Sequence, residues 1–158
     1  MWTARAFDIP PAPLALTLAG LAPFLGGAAC MLLLALLGAP IEIAAGAVLA
    51  YSAVILSFLG GARWGVEIAA ASLVQPRWSV LGLSVLGALA GWAGVVWWLV
   101  ADGSPEIFLG FAAAFALHWA WDLSADRALP HWYAGLRTIA TAGAAAALVG
   151  AWAIARFV

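Results

Sequence analysis

Apolar residues run along this chain in five long blocks separated by short polar turns. The blocks cover about residues 14–37, 43–62, 79–100, 107–127 and 132–156. At about 1.5 Å of rise per residue, some 20 helical residues cross a hydrocarbon core of roughly 30 Å. Each block therefore predicts a membrane-spanning helix, and the second predicts a helical continuation to about residue 74, outside the core. The stretch that organises the rest is YSAVILSFLGGARWGVE, Tyr51 to Glu67. Nine apolar-compatible residues end at a Gly60-Gly61 pair, and Arg63, Trp64 and Glu67 follow within two turns, the pattern of a helix leaving a bilayer.

The breaks between blocks carry turn chemistry. Met1 to Pro13 holds Arg5, Asp8 and three prolines, with Trp2 and Phe7 suited to headgroup depth. Its first ten residues lack a signal peptide's apolar centre, so the first span is expected to be retained. Gly38-Ala39-Pro40 closes the first span, and Gln75-Pro76-Arg77-Trp78 closes the second. In Asp102-Gly103-Ser104-Pro105-Glu106, Ser104 is the expected N-cap and Pro105 the first helical residue. Pro23 should kink the first span. Gly61 and Gly65, and Gly87 and Gly91, have the small-xxx-small spacing that lets helices approach closely, and Ala142, Ala146 and Gly150 share one face of the last span. Thr17 and Ser57 are expected to make helix–helix hydrogen bonds. No repeat or long linker divides the chain. The predicted architecture is all-α, a polytopic five-transmembrane-helix bundle forming a single five-span membrane domain over residues 1–158.

Composition sharpens this reading. Of 158 residues, 67% are hydrophobic and only 8% charged, against about 25% in soluble domains. The chain has six arginines, no lysine and a net charge of −1, so it has no basic stripe for nucleic acid. The single cysteine, Cys30, reads as a small packing residue. Threading five spans places Arg5, Arg63, Arg77, Arg127 and Arg137 on the amino-terminal side. Glu42, Asp102, Glu106 and Arg156 fall on the other. By the positive-inside rule the N-terminus is expected in the cytoplasm and the C-terminus in the periplasm of a bacterial inner membrane.

The candidate chemistry lies at the arginine-rich end. Glu106 and Asp122 are separated by roughly 24 Å of helix, short of a full core, so with Glu106 in water either Asp122 dips inside or the bilayer thins there, and His118 lies one turn deeper. Intramembrane ionisable groups are functional candidates. His118, Asp122 and Asp126 share a face of the fourth span. The second span brings Arg63, Trp64 and Glu67, and the fifth brings Tyr133 and Arg137. These helix ends are expected to converge, with Arg63 or Arg137 paired to Asp122 and His118 bonded to it from below. Trp64, Trp119, Trp121 and Trp132 would wall the cluster. The candidate ligand-binding set is thus Arg63, Trp64, Glu67, His118, Trp119, Asp122, Tyr133 and Arg137. Two readings stay open: a pocket for an amphipathic or anionic headgroup, and ion pairs that only pin three helices together.

Other chemistries find less support. His118, Asp122 and Asp126 with Glu67 make a thin metal-ligand set, and the Asp-Gly and Ala-Arg signature of lipid-headgroup transferases is missing. No serine sits in a nucleophile elbow, and no polar stripe runs through the far half of any span to suggest a channel. Neither an enzyme, a metal site nor a cofactor is expected. The expected role is accessory, assembly or partner-binding, with a membrane-protein partner or a second copy in the lipid bilayer. The alternative is a binder or transporter of a small amphipathic molecule such as a tetrapyrrole, quinone, sterol or lipid headgroup.

Three stretches carry a resemblance: GLAPF at Gly20 to Phe24, YSAVILSFLGGARWG at Tyr51 to Gly65, and LPHWYAGLRTIAT at Leu129 to Thr141. Together they resemble an uncharacterised family of bacterial and mitochondrial membrane proteins, the domain-of-unknown-function family that includes animal transmembrane protein 69. The resemblance implies a multi-span inner-membrane protein and carries no catalytic residues. In size, span number and its ten tryptophans the chain also looks like the tryptophan-rich sensory proteins that bind tetrapyrroles and sterols, with Pro76-Arg77-Trp78 echoing their proline-tryptophan loop.

Overall fold

The computed structural model describes residues 8–72, 74–101, 103–124 and 129–158. These form five α-helices: α1 (Pro11–Leu36), α2 (Glu42–Ala69), α3 (Trp78–Val100), α4 (Glu106–Leu123) and α5 (Tyr133–Phe157). A 3-10 turn, Ala70–Ser72, ends α2, so the helical continuation expected to residue 74 tightens and stops short. Trp2, Arg5, Phe7, Asp102, Asp126 and Arg127 lie outside the described residues.

Local chemistry sets the helix ends. Pro11 and Pro13 fit the first turn of α1, where missing N–H groups cost nothing, so α1 starts before the expected Leu14. The helix runs unbroken through Pro23, which lies exposed. At its C-terminus Gly38 takes φ +67°; its N–H bonds the Ala35 carbonyl while the N–H of Ala39 reaches Leu34. This is the paired 5→2 and 6→1 closure that a left-handed glycine makes possible. Before α4 the cap is Pro105, not Ser104. The Ser104 hydroxyl donates instead to Glu106, at 2.7 Å.

Each helix packs on the next, α5 returns to α1, and α2 also touches α4, so the bundle closes as a ring. Its interior is filled by Phe24, Met31, Leu49, Leu56, Phe108, Phe115 and Leu148, all nearly inaccessible. Phe24 meets Tyr51 and Phe115 edge-on, with centroids 5.0 and 5.7 Å apart. The exterior is equally apolar: Leu16, Leu36, Ile43, Trp78, Leu99 and Leu117 are all more than 70% exposed. A water-facing surface would not be continuous in such side chains.

Four helices, α1, α2, α3 and α5, are long and apolar enough to cross a membrane. The 18-residue α4, which carries Glu106, His118 and Asp122, is not among them. The all-helical, membrane-type architecture therefore stands, and length with composition supports four of the five expected spans.

The tightest seam joins α2 to α3, and it is built differently from the expectation. A Cβ at Gly60 would run into the Ser84 carbonyl oxygen. One at Gly87 would lie 2.8 Å from the Leu56 carbonyl oxygen, and one at Gly91 2.8 Å from the Ala53 Cα. Among the described residues, nothing lies within 4 Å of the equivalent point at Gly61 or Gly65. The α3 pair thus packs as its spacing predicts, whereas on α2 the contact falls on Gly60, one residue earlier. On α5 the buried glycine and alanines are Gly135, Ala144, Ala147 and Ala151, while Ala142 and Ala146 are exposed and Gly150 is half-buried. Cys30 and Ser57 are exposed as well. The α1–α2 hydrogen bond comes from the Tyr51 hydroxyl, which donates to the Gly20 carbonyl at 2.9 Å.

Replacing Gly60 with Ala should therefore separate α2 from α3 and cost about 1–3 kcal/mol. Gly61→Ala should be neutral or stabilise by up to about 1 kcal/mol through helix propensity. Thermal melting of both variants in mild detergent checks the contrast.

Candidate functional site

Helices α2, α4 and α5 bring one carboxylate and two guanidiniums together inside the bundle. Asp122 is 4% exposed, Arg63 5%, Arg137 5% and His118 8%. Arg137 Nε donates to Asp122 Oδ2 at 2.6 Å, a charge-assisted bond. Arg63 Nε stands 3.7 Å from Asp122 Oδ1, close enough for ion pairing but not for a hydrogen bond. Arg63 is held instead by the Trp121 ring, its guanidinium carbon lying 4.4 Å from the ring centroid. His118 packs edge-on against the same ring at 5.3 Å, and its Nδ1 lies 3.5 Å from Asp122 Oδ2. One turn of α4 thus places His118 and Asp122 on the face that α2 and α5 cover.

The predicted set divides on this geometry. Arg63, His118, Asp122 and Arg137 meet, as the spacing requires. Glu67, fully buried, instead accepts from Arg77: from its backbone N–H at 2.8 Å, from Nε at 3.1 Å and from Nη2 at 2.9 Å. This clamp ties the end of α2 to the turn that starts α3. Trp119 is half-buried, and its indole donates to Thr138 Oγ1 at 3.0 Å, joining α4 to α5. Trp64 is 42% exposed on the outer surface of α2. Of the four expected wall tryptophans, Trp121 meets the charged cluster, through Arg63 and His118. Among the described residues no three metal-type ligands gather; Asp126 lies outside that description.

Beside the cluster is a cleft of about 410 Å³, within the range of roughly 300–1,000 Å³ typical of small-molecule sites. It lies between the first half of α1, the second half of α2 and the first half of α5, floored by Phe115 of α4. Its lining is aliphatic and phenylalanine, including Leu21, Phe24, Ile55 and Leu59, with no tryptophan. Leu16 and Phe58 on its rim are 74% and 68% exposed, so it opens on the apolar exterior between helices. Tyr133, Arg137 and Thr141 line the α5 wall, and Thr17 lines the α1 wall. Arg137 Nη2 and Thr141 Oγ1 are both buried, and neither makes a hydrogen bond among the described residues.

Sequence reasoning did not single out Arg77, Thr138 or Thr141 for these roles. Arg77 follows Pro76 in a turn and carried the signal of a positive loop residue, not of a Glu67 partner. Thr141 stands four residues beyond Arg137, and that spacing was available to place both on one face.

Residues 9–153 match the family described as protein of unknown function (DUF3429). The chain belongs to that family. It is 38% identical over 145 residues to Transmembrane protein 69 of Xenopus tropicalis, covering 90% of this chain and 54% of the relative. It is 31% identical over 134 residues to Transmembrane protein 69 of Mus musculus, covering 85% and 52%. The chain thus spans about half the length of the curated relatives it matches. No solved structure matches it.

Removing the shared carboxylate should leave two guanidiniums buried without a counter-charge. Asp122→Asn is expected to lower stability by about 3–5 kcal/mol. Arg156→Gln, at an exposed position, should change it by less than about 0.5 kcal/mol. Denaturant titration of the detergent-solubilised variants separates the two.

Proposed function

We propose that this chain is a five-span inner-membrane protein that binds a small amphipathic molecule in the cleft between α1, α2 and α5, without transforming it. One observation carries the reading: a laterally open apolar cleft is lined by Arg137, whose buried Nη2 makes no hydrogen bond among the described residues. Apolar clefts with few convergent polar groups are the usual form of ligand sites, and ligands dissolved in lipid reach such a cleft without crossing water.

The fifth span in this proposal is α4. Its 18 residues extend about 27 Å, close to a core of roughly 30 Å. Its polar residues His118 and Asp122 face protein, not lipid, which is how ionisable groups are carried at membrane depth. Five spans with Arg63, Arg77 and Arg137 at one end support a cytoplasmic N-terminus and a periplasmic C-terminus. Alkaline phosphatase fused after Val158 should then be active in bacteria and a fluorescent protein at the same point dark; the reverse pattern would refute this orientation.

A second reading, an accessory or assembly protein, is favoured by Gly61 and Gly65. They present the small-xxx-small spacing, and among the described residues nothing lies within 4 Å of a Cβ built on either. The two readings separate by variant. Filling the cleft with Ala140→Phe should remove a lipid-like molecule that co-purifies in native mass spectrometry. Gly65→Leu should remove a protein partner or second copy and leave that molecule in place. Wild-type protein carrying no small molecule, together with loss of a partner in Gly65→Leu, would overturn the ligand reading in favour of assembly.

A further inference from the structure

The polar side chains beside and along the cleft point to the kind of head group it takes. Arg63 and Arg137 share a single carboxylate, Asp122, while Glu67 is engaged by Arg77. Two buried guanidiniums thus meet one buried carboxylate, while the described charges at this end balance in number, Arg63, Arg77 and Arg137 against Asp8, Glu67 and Asp122.

The wall residues point the same way. Tyr133, Arg137 and Thr141 follow at four-residue spacing, so α5 presents them as a ladder along one face, and all three line the cleft. A guanidinium has donors only, and both hydroxyls can donate. Arg137 uses Nε on Asp122 and keeps Nη2 unbonded, and Thr141 Oγ1 is unbonded one turn further in. The complement of such a ladder is a group with several acceptor oxygens and a negative charge. Beyond the ladder the cleft continues as Leu16, Leu21, Phe24, Ile55 and Phe58, which suits a hydrocarbon chain.

We propose that the cleft holds an acyl-chain amphiphile with an oxyanion head, a carboxylate or a phosphate, seated on Arg137 between Tyr133 and Thr141 with its chain among the leucines and phenylalanines of α1 and α2. This rests on the cleft being a ligand site, as proposed above, and adds the charge and form of the ligand. Arg137 acts here as a bridge: one edge of its guanidinium is fixed by Asp122, and the other meets the ligand. His118 and Arg63 do not line the cleft; they keep Asp122, and through it Arg137, in place.

The test titrates wild-type protein in neutral detergent with palmitate, hexadecyl phosphate, hexadecanol, inorganic phosphate and dioleoyl phosphatidate, followed by native mass spectrometry. Palmitate and hexadecyl phosphate should bind at least about tenfold more tightly than hexadecanol, as expected for a charge-assisted head contact. Thr141→Val and Tyr133→Phe, which leave the Asp122 pair intact, should narrow that preference, and Arg137→Lys should retain part of it. Phosphatidate binding as tightly as the single-chain anions supports the proposal with a bilayer phospholipid as source. Weaker phosphatidate binding supports it with a free single-chain acid. Equal binding of hexadecanol and palmitate would overturn the anion inference and leave the cleft reading intact. Inorganic phosphate binding as tightly as hexadecyl phosphate would overturn the chain assignment. Binding of none of the amphiphiles would overturn the cleft reading itself.

Discussion

Asp122 is the constraint around which the polar end of this bundle is arranged. A carboxylate held at 4% exposure among hydrocarbon side chains must be compensated, and α4 supplies no cation of its own beside it. Compensation comes from Arg137 on α5 and Arg63 on α2, which fixes the rotation of three helices about their axes. Trp121 then accepts the face of Arg63 that the carboxylate cannot reach, and His118 fills the space below. Lipid gives no hydrophobic drive for helix association, so such contacts and close backbone packing set the arrangement.

The two sides of the ring solve the packing problem in opposite ways. Between α2 and α3, glycines at 60, 87 and 91 let backbones meet directly and leave no room for another molecule. Between α1, α2 and α5, larger side chains hold the helices apart at the arginine-rich end, and a cleft remains. Arg137 belongs to both the structural cluster and the cleft. A structural role for the ion pairs and the proposed ligand-binding role are therefore compatible, since Arg137 bonds Asp122 through Nε and also lines the cleft.

Much of this was legible in the sequence. Hydrophobic block length located five helices, and four-residue spacing placed Arg63, His118, Asp122 and Arg137 on faces that meet. What the sequence hid is where side chains reach across a turn. Glu67 shares a face with Arg63 and was assigned to the same cluster, yet a 3-10 turn carries Arg77 back over it, a path no periodicity describes. The Gly61 and Gly65 spacing was real, but helix rotation about the Gly60 contact turned that pair outward. Tryptophan content suggested aromatic walls; the cleft is lined mainly by phenylalanine and aliphatic side chains, while Trp64 lies exposed, Trp119 bonds to α5, Trp121 packs on Arg63 and Trp98 packs on the core.

The claim on which the rest depends is that Asp122 and Arg137 act as one buried unit joining α4 to α5. A double-mutant cycle on Asp122→Asn and Arg137→Gln, measured by denaturant titration in a single detergent, tests it directly. Contacting residues couple by about 0.5–3 kcal/mol, whereas independent sites add within about 0.3–0.5 kcal/mol. The account predicts that the double variant is far less destabilised than the two single losses summed, with coupling near the top of that range. Simple additivity would show that the two side chains do not depend on one another, and would contradict the arrangement described here.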